Sequence, residues 1–354
     1  MKRGKNLIFW GTFIFAIFLS FITVKDSCAG PRWDVGEDSW LQLGILGQVH
    51  FSHMEDAAVE NDFYLRRGRI IIQGQVMDGI KFFVETDNAN AGKYGVSEAE
   101  TKIQDAFMDF RLDDSRQWIK AGLILLPFSF ETRSSAASLL GIDYNSETIK
   151  LVNTFVWRDY GAELSGGVGD KFNYRIGVFD GYDSDTGIKY NDASLRFTGH
   201  IAYNLIGKVE DGWFFSQTRL SAKNDYLSIG AGIDHQSKAT INAESVVQDN
   251  RAWVLDMQSG FIFGDNLLTV NGAYYDWDNA LYKGKTAFIE TGYLIGKIMP
   301  TFKISYLDPD NAGSTTDTTF GVDYFWKGQN ARIGVEYRTG DSKDWLLAGL
   351  QFLL

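Results

Sequence analysis

Charged side chains recur at every second residue in several short segments of this chain. Arg67 and Arg69 stand two apart, as do Glu85 and Asp87. Residues an even number of positions apart in an extended strand point to the same face. If such a face were enclosed, it would sort ions and polar solutes by charge. The ten main candidates for this lining are Arg67, Arg69, Lys81, Asp105, Asp109, Arg111, Lys120, Glu163, Arg175 and Arg196.

The same parity assigns 10 basic and 11 acidic side chains in all to this inner face. The further basic members are Lys303, Arg332 and Arg338, and the further acidic ones are Glu85, Asp87, Asp159, Asp234, Asp256, Glu290, Asp323 and Glu336. The two signs nearly balance. Net charge therefore predicts no ion preference, which depends on how charges are arranged at the narrowest point.

Two arrangements of the inward arginines are compatible with the sequence. In the first, the arginines form one basic stripe opposite acids on a long connection. In the second, each arginine pairs with a carboxylate on a neighbouring strand. The arginines are Arg67, Arg69, Arg111, Arg175 and Arg196, and the connection acids are Asp143 and Glu147.

Catalytic chemistry has little support in this chain. Its histidines are His50, His53, His200 and His235, and none belongs to a recognisable nucleophile motif. His50 and His53 are three apart on an extended segment, so they point to opposite faces and are poorly placed to share a metal. The sequence also lacks a Cys-x-x-Cys-His haem motif. We therefore predict no enzyme activity, no metal site and no cofactor.

Apolar side chains occupy the opposite parity throughout. The last segment shows it most clearly, because Leu346, Ala348, Leu350, Phe352 and Leu354 share one face. Sixteen segments of about ten residues alternate in this way, a pattern typical of strands that cross a lipid bilayer. An open sheet edge in lipid leaves backbone groups unpaired, so the sheet must close. The prediction is an all-β transmembrane antiparallel barrel of about sixteen strands.

The connections between these segments fall into two classes. Short ones with turn residues occur at 78–79, 113–115, 169–170, 264–266 and 327–329. Longer ones, at 53–62, 88–102, 131–156 and 181–192, lie between them. Tight turns at one rim and long loops at the other match the periplasmic and extracellular ends of such a barrel. The long stretch 206–225 is an exception, because it falls where a short turn is expected.

The first 29 residues read as a secretory signal peptide. Lys2, Arg3 and Lys5 precede an apolar run, and small residues ending at Ala29 offer a cleavage site. Residues 30–354 then form a single barrel domain. The whole chain carries a formal charge of −11 and the signal contributes +3, so the remainder carries −14. This charge argues against a nucleic-acid partner.

Several short motifs resemble the phosphate-selective porin O and P family of outer-membrane channels. They are Gln104-Asp105-Ala106-Phe107, Pro127-Phe128-Ser129 and the segments 160–166 and 174–181, and the segments 65–69, 273–276 and 306–310 fit the same pattern. Their order and spacing cover nearly all of residues 30–354. The resemblance implies a sixteen-stranded porin, usually a homotrimer, whose third long loop, here 131–156, folds inward. One departure follows Gly122, where Leu123-Ile124-Leu125-Leu126 should direct Ile124 and Leu126 into the lumen.

These observations predict a porin in the outer membrane of a Gram-negative bacterium, in contact with its lipid. It would allow passive diffusion of small hydrophilic solutes or ions, including anions such as phosphate. Three alternatives stay open from the sequence: a barrel sheath around an electron-transfer partner, an outer-membrane barrel enzyme, and a structural barrel with a plugged lumen.

Overall fold

A computed structural model describes residues 30–95, 100–112, 116–152, 156–181, 194–209, 214–241 and 246–354. The proposed signal peptide, residues 1–29, lies outside these ranges. Among the residues described, no helix is long and apolar enough to cross a membrane.

Seventeen strands run through the described residues. They are β1 (Arg32–Asp34), β2 (Trp40–Met54), β3 (Asn61–Met77), β4 (Ile80–Asp87), β5 (Lys102–Arg111), β6 (Trp118–Leu125), β7 (Arg158–Val168), β8 (Phe172–Phe179), β9 (Arg196–Ile206), β10 (Tyr226–Ile241), β11 (Val247–Phe263), β12 (Asn266–Asp278), β13 (Lys283–Leu294), β14 (Ile298–Pro309), β15 (Thr315–Phe325), β16 (Ala331–Gly340) and β17 (Trp345–Leu353). A short 3-10 turn, Lys93–Gly95, lies between β4 and β5.

Strands β2 to β17 form one closed antiparallel barrel, so the predicted fold is confirmed. Each strand pairs with its neighbour in sequence, and β17 pairs with β2 from Trp345↔Met54 to Leu353↔Leu46. The short strand β1 pairs with the start of β2. Closure leaves no free edge among these sixteen strands, as a sheet in hydrocarbon requires.

The alternation of side chains has the predicted direction. Leu350 and Phe352 are 45% and 46% exposed on the outer surface, whereas Gln351 between them is 3% exposed. Asp105, predicted to face inward, is 0% exposed. The apolar face therefore points outward on β17, and the polar face points into the barrel.

The interior of the barrel, however, also contains apolar side chains. The β6–β7 connection has residues 126–152 inside the barrel, and these carry fully buried apolar side chains such as Leu126 and Phe128. These pack against inward aromatic residues of the wall, including Tyr275 and Trp277 of β12. A lumen too wide for wall side chains alone is filled in part by residues that the connection supplies.

A second inward segment belongs to the β9–β10 connection at the short-turn end, of which residues 207–209 and 214–225 are described. Its described part docks on the β6–β7 connection through a parallel bridge between Ser134 and Phe215, with N–H to carbonyl hydrogen bonds of 2.9 and 3.1 Å. Gln217 also donates to the Glu131 carboxylate. Phe215 and Gln217, within the stretch that did not fit a short turn, therefore lie in the lumen.

Candidate functional site

Most of the inward arginines pair with carboxylates on adjacent strands. Arg69 of β3 donates to Glu85 and Asp87 of β4 at 2.7 and 3.0 Å. Arg196 of β9 forms a bidentate pair with Asp234 of β10 at 2.6 and 2.7 Å. Cross-strand ion pairs thus fix these side chains against the wall.

Arg67 instead pairs with an acidic residue of the β6–β7 connection. Its guanidinium donates to Asp143 at 2.8 Å, and the neighbouring Arg66 donates to the same carboxylate at 2.5 Å. Burial opposes ionisation of Asp143, but the two arginines outweigh it and hold the pKa of this carboxyl well below its usual range. The inward connection is therefore tied to β3 by a charge that persists at neutral pH.

Glu163 of β7 binds two arginines from different elements. Arg175 of β8 donates to one carboxylate oxygen at 2.7 Å, and Arg133 of the inward connection donates to the other at 3.1 Å. All three side chains are nearly or fully buried. The sequence did not select Arg133, because residues in a connection follow no strand parity.

The remaining candidates lie on the same wall, with Asp105 opposite Glu85 and the others nearer the short turns. Lys120 is 3.9 Å from Asp109, and Asp105 accepts from Arg158 at 2.8 Å. Arg111 pairs with Asp78 at the short-turn rim, away from the inward connection. Their positions are consistent with an ionic inner wall, and their roles in permeation stay predictions.

The inward connection is held around nearly the whole circumference. The polar contacts run from its residues to β2, β3, β7, β11, β13, β14 and β16. They are Ala136 with Gln48, Asp143 with Arg67, Arg133 with Glu163, Phe130 with Asp256, Asn145 with Glu290, Glu147 with Lys303, and Ile142 with Glu336. A loop anchored at so many points acts as a rigid internal partition.

Glycines in the barrel wall allow the β6–β7 connection to pack closely against it. Ile142 lies over Gly334 and Gly349, where an added Cβ would come within 3.0 and 2.6 Å of its side chain. Such distances are too short for a carbon atom. The two glycines therefore form a seat for Ile142 that a larger residue would destroy.

One acid of the partition is set apart by its surroundings. Glu131 is fully buried, and it accepts hydrogen bonds from Asn145 and Gln217. Burial, together with the nearby carboxylate of Glu290, raises the pKa of Glu131 to about 8. This shift favours the neutral acid form of Glu131 relative to that of an exposed glutamate.

Two adjoining cavities border the partition. The larger cavity has a volume of about 540 Å³ and is lined by residues of β2 to β8, with Lys208 and Val209 from the β9–β10 connection. A second cavity of about 160 Å³ reaches up to Tyr144 and Arg158. Gln73 lines both, so the two spaces adjoin.

The larger cavity is strongly biased in charge. Its charged lining residues are Lys81, Arg116, Lys120, Arg175 and Lys208, with Asp109 as the single acid among them. Arg116 and Lys208 share the exposed Asp170 at 3.6 and 3.2 Å, outside the lining. The lining of this cavity thus carries mainly cationic groups.

Cross-strand rows organise this wall. One inner row runs Gln73–Phe83–Phe107–Gly122, and the next row toward the short turns runs Gln75–Lys81–Asp109–Lys120–Glu163. A third row carries Arg111, Trp118, Ser165 and Arg175. An apolar aromatic layer therefore stands above an ionic layer, about 7 Å apart along the strands.

The aromatic layer also narrows the barrel above the larger cavity. Phe83 stacks on Phe107 with ring centroids 5.3 Å apart, and Phe214 of the β9–β10 connection meets Phe83 edge-on at 5.5 Å. Beside them, Ile124 and Leu126 are buried within the lumen cluster, on the inner side that the sequence predicted. The narrow part of the barrel thus combines apolar rings with paired charges.

Comparison with known proteins identifies the relatives of this chain. Residues 42–205 match the family model described as phosphate-selective porin O and P. No curated protein matches the chain. Among solved structures, two variants of the Rhodopseudomonas blastica porin, one with two substitutions and one triple mutant, superpose with TM-scores of 0.60 and 0.59. Each is 16% identical, and the match covers 89% of this chain and all of theirs. At that identity, the structural likeness supports the barrel fold alone.

Proposed function

We propose a solute preference and an assembly for this outer-membrane porin, whose residues 42–205 belong to the phosphate-selective porin O and P family. The chain is a channel of the Gram-negative outer membrane rather than an enzyme. It passes small hydrophilic solutes and ions, with a preference for anions such as phosphate. The observation that carries this preference is the 540 Å³ cavity, whose lining has five cationic side chains and one acid. A cationic lining raises the local concentration of anions.

The preference is testable by the reversal potential of single channels in a KCl gradient. We expect the reversal potential to have the sign that indicates selectivity for chloride over potassium. Replacing Arg116 and Lys208 with Glu should move it toward potassium, because both side chains stand at the open rim of the cavity. Lys297→Glu, an exposed charge on a short turn outside the cavity, is the control and should leave it unchanged. A potassium-selective parent protein would refute the anion preference.

We also propose that three copies assemble, as in the family that the chain resembles, with their apolar outer faces against one another and against lipid. Exposed outward residues such as Ile45, Val49 and Phe320 provide that apolar surface. Native mass spectrometry of the protein in mild detergent should give a mass of three chains. A stable species of a single chain would contradict this assembly.

Export through a signal peptide cleaved after Ala29 belongs to the same proposal. Its support is the basic start, the apolar run and the small residues before Gly30. The N-terminal residue of the mature protein, read by Edman sequencing, should be Gly30. A mature protein that begins elsewhere would exclude this cleavage site.

A further inference from the structure

The larger cavity has aromatic surfaces beside its charges. Trp40 and Trp118 line it together with Gln73 and the cationic groups. Lys81 lies over the Trp118 ring, with its Nζ 4.9 Å from the ring centroid, and Arg111 approaches the same ring at 6.0 Å. The site therefore offers both a flat apolar surface and positive charge within one space.

Lys81 differs from the other cations of this cavity in its partners. Among the described residues, no carboxylate lies within ion-pair distance of its ammonium group, although Asp109 stands opposite it in the β4–β5 register. Lys120, by contrast, is 3.9 Å from Asp109, and Arg175 is bound to Glu163. A cation held over an aromatic ring keeps its N–H donors available for an incoming anion.

From this juxtaposition we infer that the cavity binds small organic anions with a flat apolar body, an aromatic carboxylate being the simplest example. The carboxylate would accept hydrogen bonds from Lys81, and the ring would lie against Trp118. This inference rests on the proposed anion preference and narrows it. Inorganic phosphate and chloride would use the same charges but gain nothing from the aromatic surface.

Charge and shape contribute separately to ligand binding at this site. A carboxylate bound by Lys81 gains a charge-assisted hydrogen bond, partly offset because the cavity is open to solvent. A ring on Trp118 gains apolar burial and stacking. The two contributions predict that benzoate binds more tightly than acetate, which has the same charge and no ring.

The test measures block of chloride current through single channels by benzoate and by acetate, each added on the short-turn side. Benzoate should block saturably at a concentration about tenfold lower than acetate, the order expected for one stacked ring. Lys81→Met should weaken both blockers by about tenfold, as loss of one charge-assisted hydrogen bond predicts. Trp118→Leu should weaken benzoate and leave acetate unchanged.

Two matched controls identify the source of any change. Lys171→Met removes an exposed lysine at the same rim that does not line the cavity, and Trp326→Leu removes an exposed outer tryptophan. Both should leave the block unchanged. Titration calorimetry of benzoate with each purified variant should give the same ranking, provided that its circular dichroism spectrum matches the parent spectrum.

Equal block by benzoate and acetate in an anion-selective channel would overturn the inference and leave the proposed function intact. An equal loss of both blockers in Trp118→Leu would overturn it as well. A cation-selective parent channel, read from the reversal potential of the same recordings, would instead refute the proposed function.

Discussion

Removal of residues 135–146 should raise the single-channel conductance severalfold. This segment carries Ile142, which sits over two wall glycines, and Asp143, which binds Arg66 and Arg67. Its loss opens the partition on the β2–β3 and β16–β17 side, where the cross-section is otherwise filled. Conductance in symmetrical KCl, with the protein purified from membranes, provides the measurement.

A deletion of similar kind outside the lumen provides the control. Residues 311–313 join β14 to β15 at the long-loop rim and are exposed. Their removal should leave conductance at the parent value. If the 135–146 deletion also left the conductance at that value, the partition would not limit ion flow, and the proposed path would be wrong.

The second large effect concerns the outer face. Leu350→Arg should prevent stable assembly, because the side chain points to lipid near the middle of β17. A charge of this kind at the bilayer midplane costs about 2–4 kcal/mol in barrel stability. The measurement is the midpoint of urea unfolding in lipid vesicles, together with the amount of folded protein in outer-membrane fractions.

An arginine introduced on the inner face should be tolerated. Gln73→Arg adds an equal charge to a half-buried residue that borders both cavities, where water is available. This variant should fold with a midpoint close to that of the parent. Equal destabilisation by both variants would mean that charge as such, and not its orientation toward lipid, limits assembly.

Much of this fold was predictable because strand parity is a local property. The alternation at Leu350, Gln351 and Phe352 determines which face meets lipid, and closure follows from the need to pair every edge. The strict alternation of side chains is lost where a β-bulge interrupts the pairing of two strands. One such place is the bulge in β3 opposite Gln48 and Val49, which inserts Arg66 between Leu65 and Arg67.

The contents of the lumen were much less predictable. Arg158 begins β7 just after Val156 and Trp157, which adopt left-handed backbone conformations, so alternation does not hold there. The pairing of Arg69 with β4 is a cross-strand contact, whereas the pairing of Arg67 with Asp143 depends on where the β6–β7 connection folds, which parity cannot give. For the same reason the 207–225 segment could be recognised as too long for a turn but not placed inside the barrel.

The central claim is that water and ions pass inside the barrel, along the wall that carries Gln73, while Leu350 faces lipid. The chain has one cysteine, Cys28, within the proposed signal peptide, so introduced thiols can be modified selectively. The decisive measurement is the single-channel current of Gln73→Cys and Leu350→Cys during exposure to a charged, membrane-impermeant thiol reagent. We expect a stepwise loss of current for the thiol at residue 73 and no change for the one at residue 350. Loss of current at residue 350, with an unchanged current at residue 73, would contradict it.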